Sequence, residues 1–326
     1  MKPLIKSSLC LLLALLFGVC AGHSWASPGE VIRALLGDDS LSSSLLMQWR
    51  FPRVLTAALV GGFLGLSGAI FQGLFRNPLT EPWLLGASGG AAVGATVALL
   101  VPMALPMALS LPLFSFSGAF AAILLVLTIA RLSGSLDIAT LLLTGVAISA
   151  MLSAIRSFLM MSLSNETISL QVVLSWIMGG IQTPGWSGLF LAALLFTACL
   201  AAALQLAHGL DLLGLGENMA TAMGLAVNRF ILVALLLGSA ITACAVALGG
   251  IIGFVGLAAP HIARWLNGTM HRRLLPQSAL IGAILVTVAD ALARSLLPPG
   301  EIPLGVITAI AGTPLFIALL AGRSKR

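Results

Sequence analysis

What most constrains this chain is the recurrence of apolar runs about 20 residues long, the length of helix that crosses the hydrocarbon of a bilayer. They fall at residues 5–21, 54–74, 85–105, 111–130, 139–161, 186–206, 230–251, 252–265, 278–297 and 304–320. The eighth, GFVGLAAPHIARW, is short and interrupted by Gly253, Gly256 and Pro260, so it reads as a half-helix or an interfacial bend. Charged residues make up 8% of the chain and hydrophobic ones 59%, whereas about 25% of a soluble domain is charged. The expected fold is therefore all-α: a polytopic membrane bundle of about ten transmembrane helices, with residues 1–326 forming one transmembrane domain and no soluble domain.

The first run follows Lys2 and Lys6 and resembles a signal peptide, with SWAS as a possible cleavage site. So many spans follow that an uncleaved first span is the better reading. After it, SPGEVIRALLG offers Ser27 as N-cap, Pro28 at the first helical position and Glu30 in the first turn, which predicts a short amphipathic helix outside the membrane.

Charge sets the orientation. With both termini in the cytoplasm, Lys2, Lys6, Arg76, Arg131, Arg229, Arg264, Arg272, Arg273, Arg323, Lys325 and Arg326 are all cytoplasmic. Only Arg33, Arg50, Arg53 and Arg294 fall outside, and Arg156 lies within the fifth span. That asymmetry obeys the positive-inside rule, and it explains the net charge of +6 better than nucleic-acid binding does. Gly61 and Gly65, and Gly86, Gly90 and Gly94, recur at four-residue spacing, which lets helix backbones approach closely.

Ionisable groups inside the spans are few: Arg156 and Asp290, with Glu81 and Glu301 near span ends. Asp290 and Arg294 stand four apart on one helix and are placed to pair. There is no HExxH and no Walker GxxxxGK[ST] motif, so neither a catalytic zinc site nor ATP hydrolysis is expected of this chain. Cys10, Cys20, Cys199 and Cys244 all sit in apolar runs, without metal-ligand spacing. His261 and His271 read as polar anchors beside Arg272 and Arg273 rather than as metal ligands. No metal site is expected. Met103, Met107, Met151, Met160, Met161 and Met178 offer soft, adaptable surfaces, though such methionines more often serve simply as bundle packing.

One segment does not belong to a span. GLGENMATAMGL, residues 214–225, is polar and spaced by Ala, Gly and Met, and it predicts one or two short helices broken at Gly216 and Gly224. RNPL, closing the second span, is a helix stop, because Pro78 disfavours helix at Asn77.

WRFPRVLTAALVGGFLGLSGAIFQGLFRNPLTEPWLLGASGGAAVGA resembles the opening of FecCD-type permeases, the membrane subunits of ABC importers for vitamin B12, ferric siderophores and haem. GFVGLAAPHIARWLNGTMHRRLLPQSALIGA and ADALARSLLPPGEIPLGVITAIAGTPLFIALL resemble the C-terminal half of that family, so the resemblance runs nearly end to end. The RxPR, RNPL, GFxGLxxPH and PxGxxTAxxGxPxF patterns carry it.

The resemblance implies a type II ABC importer permease in the bacterial inner membrane. It implies a second permease subunit (a homodimer or a related chain), an ATPase subunit that holds ATP and Mg, and a substrate-binding protein outside. The chain itself would bind no cofactor. Residues 208–229 would form the ATPase-coupling segment, with Leu215, Gly216, Glu217, Ala220, Met223, Gly224 and Leu225 in contact. Arg50, Arg53 and Arg294 would receive acidic residues of the binding protein. Asn77 and Leu79 would stand where the pathway narrows on the cytoplasmic side. The implied cargo is a metal chelate, a ferric siderophore or another ferric chelate first, with vitamin B12 and haem as alternatives. An ion-coupled secondary transporter and a membrane-embedded enzyme are the rival classes.

Overall fold

The computed structural model describes residues 2–82, 86–102, 104–133, 138–163, 170–298 and 300–323. The expectations at residue 85, Met103, Lys325 and Arg326 lie outside these. Among the described residues every element is a helix. In chain order they are α1 (Lys2–Cys20), α2 (Pro28–Leu35), α3 (Leu41–Leu45), α4 (Phe51–Leu74), α5 (Ala87–Leu100), α6 (Met107–Leu132) and α7 (Ile138–Leu163). Then follow α8 (Leu170–Ile177), α9 (Gly185–Leu213), α10 (Glu217–Ala222), α11 (Val227–Gly249), α12 (Val255–Asn267), α13 (His271–Ser295) and α14 (Leu304–Arg323).

Among the described residues seven stretches are long and apolar enough to cross a membrane, in α1, α3–α4, α6, α7, α9, α11 and α13; α5 and α14 contribute shorter apolar stretches. α12, only 13 residues long, is the expected half-helix. Its N-terminus is set by Phe254, whose φ of 66° is left-handed and whose amide donates to Glu81 Oε1 at 2.5 Å.

α4 is the axis of the bundle. Nearly its whole length is buried, and it packs against α13, α11, α12 and α9. Glycine permits the closest of these contacts. A β-carbon on Gly61 would meet the carbonyl of Gly282, one on Gly65 that of Ser278, and one on Gly68 that of Gly256. Gly90 and Gly94 on α5 meet Gly118 and Phe114 of α6 in the same way. Gly86, the first member of that spacing, instead precedes the helix with φ 82° and takes no part in the stripe.

Two boundaries differ from the sequence expectation. The RFPR motif does not open a helix: the helical path starts at Leu41 and passes through a π-turn over Leu46–Arg50 before Pro52. Proline lacks the amide for the next i→i−4 bond, and the widened turn absorbs that loss. α13 begins at His271, seven residues before the expected span, because Asp211 at the end of α9 accepts the His271 amide at 3.0 Å and caps it. α8, over LQVVLSWI, had no counterpart in the sequence reading, since eight residues are too short for a span signal.

Candidate functional site

The features outside plain helix packing gather at the two ends of the bundle. At one end, α1 stops at Cys20 and leaves its last carbonyls unpaired, as every helix does. Two arginines fill that need. Arg294 donates through Nη2 to Gly18 O at 2.8 Å and through Nη1 to Ala21 O at 2.7 Å. Arg50 donates to Val19 O at 3.3 Å, Cys20 O at 3.4 Å and Ser24 O at 2.5 Å. Cations at a helix C-terminus also oppose its negative dipole end. α1 is thereby built into the bundle.

The same arginines meet two carboxylates. Arg294 Nε donates to Asp290 Oδ2 at 2.9 Å, the pairing that the four-residue spacing predicts. Arg53 donates to Asp290 Oδ1 at 3.0 Å and clasps both oxygens of Glu301, at 3.0 and 2.7 Å. Asp290 is 1% exposed and Arg294 6%, so Arg294 works from beneath the surface, while Arg50 and Arg53 are half-buried at the rim. Arg50, Arg53, Arg294 and Glu301, together with Gly22, His23, Trp49 and Thr183, line a recess of about 320 Å³. Three guanidinium groups meet the Glu301 carboxylate in its lining and the buried Asp290 beside it, and Arg50 donates its hydrogen bonds to neutral oxygens. The recess carries an excess positive charge.

At the other end stands the segment after α9. Gly216 adopts φ 104° and Gly224 φ 90°, conformations that side chains with a β-carbon rarely reach, and between them lies the single short helix α10. Ala220 is buried beneath it, and the Leu225 amide returns to Ala220 O at 3.0 Å. Leu215, Met219 and Met223 project outward, each more than half exposed, and Leu225 is half-buried. The result is a compact knob with an apolar crown. Glu217 pairs with Arg76 at 3.3 Å and so ties the knob to the end of α4.

Arg76, with φ 50°, begins the RNPL turn. Asn77 Oδ1 accepts the Leu79 amide at 3.1 Å and the Asn77 carbonyl accepts Thr80 N at 3.1 Å, so Asn77 closes the turn with its own side chain. Beneath it lies Gln72, which the sequence reading passed over. Buried at the end of α4, Gln72 donates to the carbonyls of Thr80, Gly256 and Leu257 and accepts from Arg264, binding α4, the turn and α12 together. A lone amide in an otherwise apolar run was its one visible signal. His271 Nδ1 lies 2.7 Å from Asp211 Oδ1, which joins α9 to α13 in the same layer. No group of three or more His, Cys, Asp or Glu side chains is placed to hold a metal ion among the described residues.

The model of the FecCD transport family matches residues 10–322. The chain belongs to that family. It is 40% identical over 291 residues to the Fe(3+) dicitrate transport system permease protein FecD of Escherichia coli K12, covering 88% of this chain and 89% of that one. It is 38% identical over 317 residues to the vitamin B12 import system permease protein BtuC of Salmonella choleraesuis, covering 97% of this chain and 94% of that one. A solved structure described as an inward-facing conformation of a metal-chelate type ABC transporter superposes with a TM-score of 0.86 at 33% identity, covering 98% and 99% of the two chains. The bundle of this FecCD chain is therefore an ABC importer permease fold, with the arginine recess and the α10 knob at its opposite ends.

Proposed function

We propose that this chain is the membrane subunit through which an ABC importer passes a metal chelate across the bacterial inner membrane. Two copies, or one copy and a related permease, form the pathway, and the chain acts as a single transmembrane domain without an ATPase of its own. Both termini and the α10 knob lie in the cytoplasm. The knob, through Leu215, Gly216, Glu217, Ala220, Met223, Gly224 and Leu225, seats in a groove of the ATPase subunit, which alone holds ATP and Mg. The recess accepts acidic side chains of a substrate-binding protein at Arg50 and Arg53, with Arg294 holding them in place from below. Asn77 and Leu79 mark the cytoplasmic narrowing of the pathway.

The observation that carries this reading is the separation of two unlike docking surfaces. One is charged and recessed, the other apolar and protruding, and they stand at opposite ends of one membrane-spanning bundle. A carrier driven by an ion gradient needs neither. A ferric chelate is the first choice of cargo, following the ferric citrate relatives; the B12 relatives keep a corrinoid as the alternative.

Reconstitution with the cognate ATPase and binding protein in liposomes tests it. Uptake of ferric dicitrate or cyanocobalamin that requires both partners and internal ATP is the expected result. Uptake by the permease alone under an ion gradient would overturn it.

A further inference from the structure

Arg156 is a charge within a membrane span that neither docking surface uses. It lies on α7, roughly 10 Å of helix rise before the last residue of that helix. Its Nη2 donates to Ser153 Oγ at 3.4 Å, and its Nε is buried without a hydrogen-bond partner among the described residues. A cationic side chain inside a span is costly and is normally paired or turned toward water. Among the described residues no carboxylate pairs with it, which leaves it open to a partner from outside them.

The surroundings of Arg156 say which side it serves. α7 packs on α5 and α6 and leaves most of its surface free of the rest of the chain. That free surface has two faces. Met151, Ile155 and Phe158, at i, i+4 and i+7, are large, apolar and exposed, as lipid contact requires. Ala150, Ser153, Ala154 and Ser157, also at helical spacing, are exposed too, but small or hydroxylated. α9, by contrast, exposes Phe190, Leu191, Leu194 and Leu195. A small, hydroxyl-bearing strip edged by an arginine suits a water-filled passage, not hydrocarbon.

We propose that Ser153, Arg156 and Ser157 line the translocation pathway and that Arg156 takes an oxyanion of the cargo in passage. The cargo is then a chelate with net negative charge, such as a polycarboxylate complex of ferric iron, and not a neutral corrinoid. This rests on the importer reading above. The unpaired Nε and the neighbouring hydroxyls offer hydrogen-bond donors to such a group, with no carboxylate among the described residues in place to compete. A single charge of this kind attracts an anion yet leaves it free to move on.

The test uses a Ser157→Cys reporter in a chain whose four native cysteines are changed to serine, assembled with its ATPase in phosphatidylglycerol nanodiscs. Modification by the anionic sulfonatoethyl methanethiosulfonate is expected to run several-fold faster than by its trimethylammonium counterpart, and Arg156→Gln is expected to erase that difference. Excess ferric dicitrate should slow the reaction with Arg156 present, and cyanocobalamin should not. An unreactive reporter, a charge preference unchanged in Arg156→Gln, or no protection by ferric dicitrate overturns the proposal. A preference seen in phospholipid-free maltoside but lost in nanodiscs would assign Arg156 to a lipid phosphate and overturn it as well. Co-purification of the ATPase is scored separately. Its loss with the charge preference intact counts against the importer reading, and the converse against the Arg156 site alone.

Discussion

Arg50 and Arg294 carry the same charge and sit in one recess, yet their surroundings assign them different work. Arg294 is 6% exposed and shares Asp290 with Arg53. Removing Arg294 leaves Asp290 to Arg53 alone and frees the Gly18 and Ala21 carbonyls, a loss that approaches the roughly 3–5 kcal/mol of breaking a buried pair. Arg294→Met is therefore expected to unfold at markedly lower denaturant, as followed by loss of helical signal. Arg50→Glu keeps the Asp290 pairs, so the chain should stay folded and still bind its ATPase. Its affinity for the binding protein should fall, and most steeply at low salt, because rim charges act through long-range attraction. Equal affinity at both salt concentrations would make Arg50 a cap for α1 and nothing more.

Glu30 tests a smaller device. The Ser27 amide and hydroxyl both donate to its carboxylate, at 2.6 and 2.9 Å, completing the capping box of α2 and holding the Glu30 carboxyl below its usual range. A depressed folded value means the stabilisation is fully present above the ordinary Glu range and disappears as pH falls through the lower folded one. Amide exchange in α2 should accelerate on acidification while α13 is unaffected, and Glu30→Gln should flatten that response.

Helices, turns and their contacts answer to different rules. Gly61 faces the backbone of α13, so Gly61→Val must force two helices apart and is expected to cost about 1–3 kcal/mol or more. Gly180→Ala, with open space around its β-position, should be neutral, and unfolding of the two variants side by side checks both. At the knob, Glu217→Arg sets two arginines together. Because both side chains of that pair are largely exposed, stability should change by less than about 1 kcal/mol. ATP-driven uptake is expected to drop, and to recover in the exchanged pair Arg76→Glu with Glu217→Arg.

These elements also mark how far a sequence can be read. The i,i+4 pair of Asp290 and Arg294, the capping box at Ser27 and the glycine breaks around α10 are local, and local spacing announces them. The clasp of Arg53 on Glu301 joins residues 248 positions apart, and no periodicity encodes such a meeting. Asp211 is equally silent in the sequence, 60 positions before the histidine it caps. α8 escaped because eight residues, six of them apolar, signal neither a crossing helix nor a turn. The π-turn before Pro52 escaped because proline in a sequence signals a boundary more often than a widened turn.

For the whole molecule, orientation is the statement most open to direct measurement. Asn218→Cys, on the knob, should react with an impermeant thiol reagent only from the cytoplasmic side, and His23→Cys, in the recess, only from the opposite side. Reaction of both from one side would overturn the topology.

The carbonyls that end α1 bear on the order of events during synthesis. Their acceptance of Arg294 spans 273 and 276 positions in the chain, so α1 meets its clasp only when α13 has been made. Until then, of the two arginines, Arg50 alone is there to hold its end. Contacts of such long range close late, after nearer neighbours have paired. A ribosome-arrested chain ending before α13 should leave Gly22→Cys open to reagent, and arrest beyond α14 should protect it. α1, made long before α13, would then settle only after it.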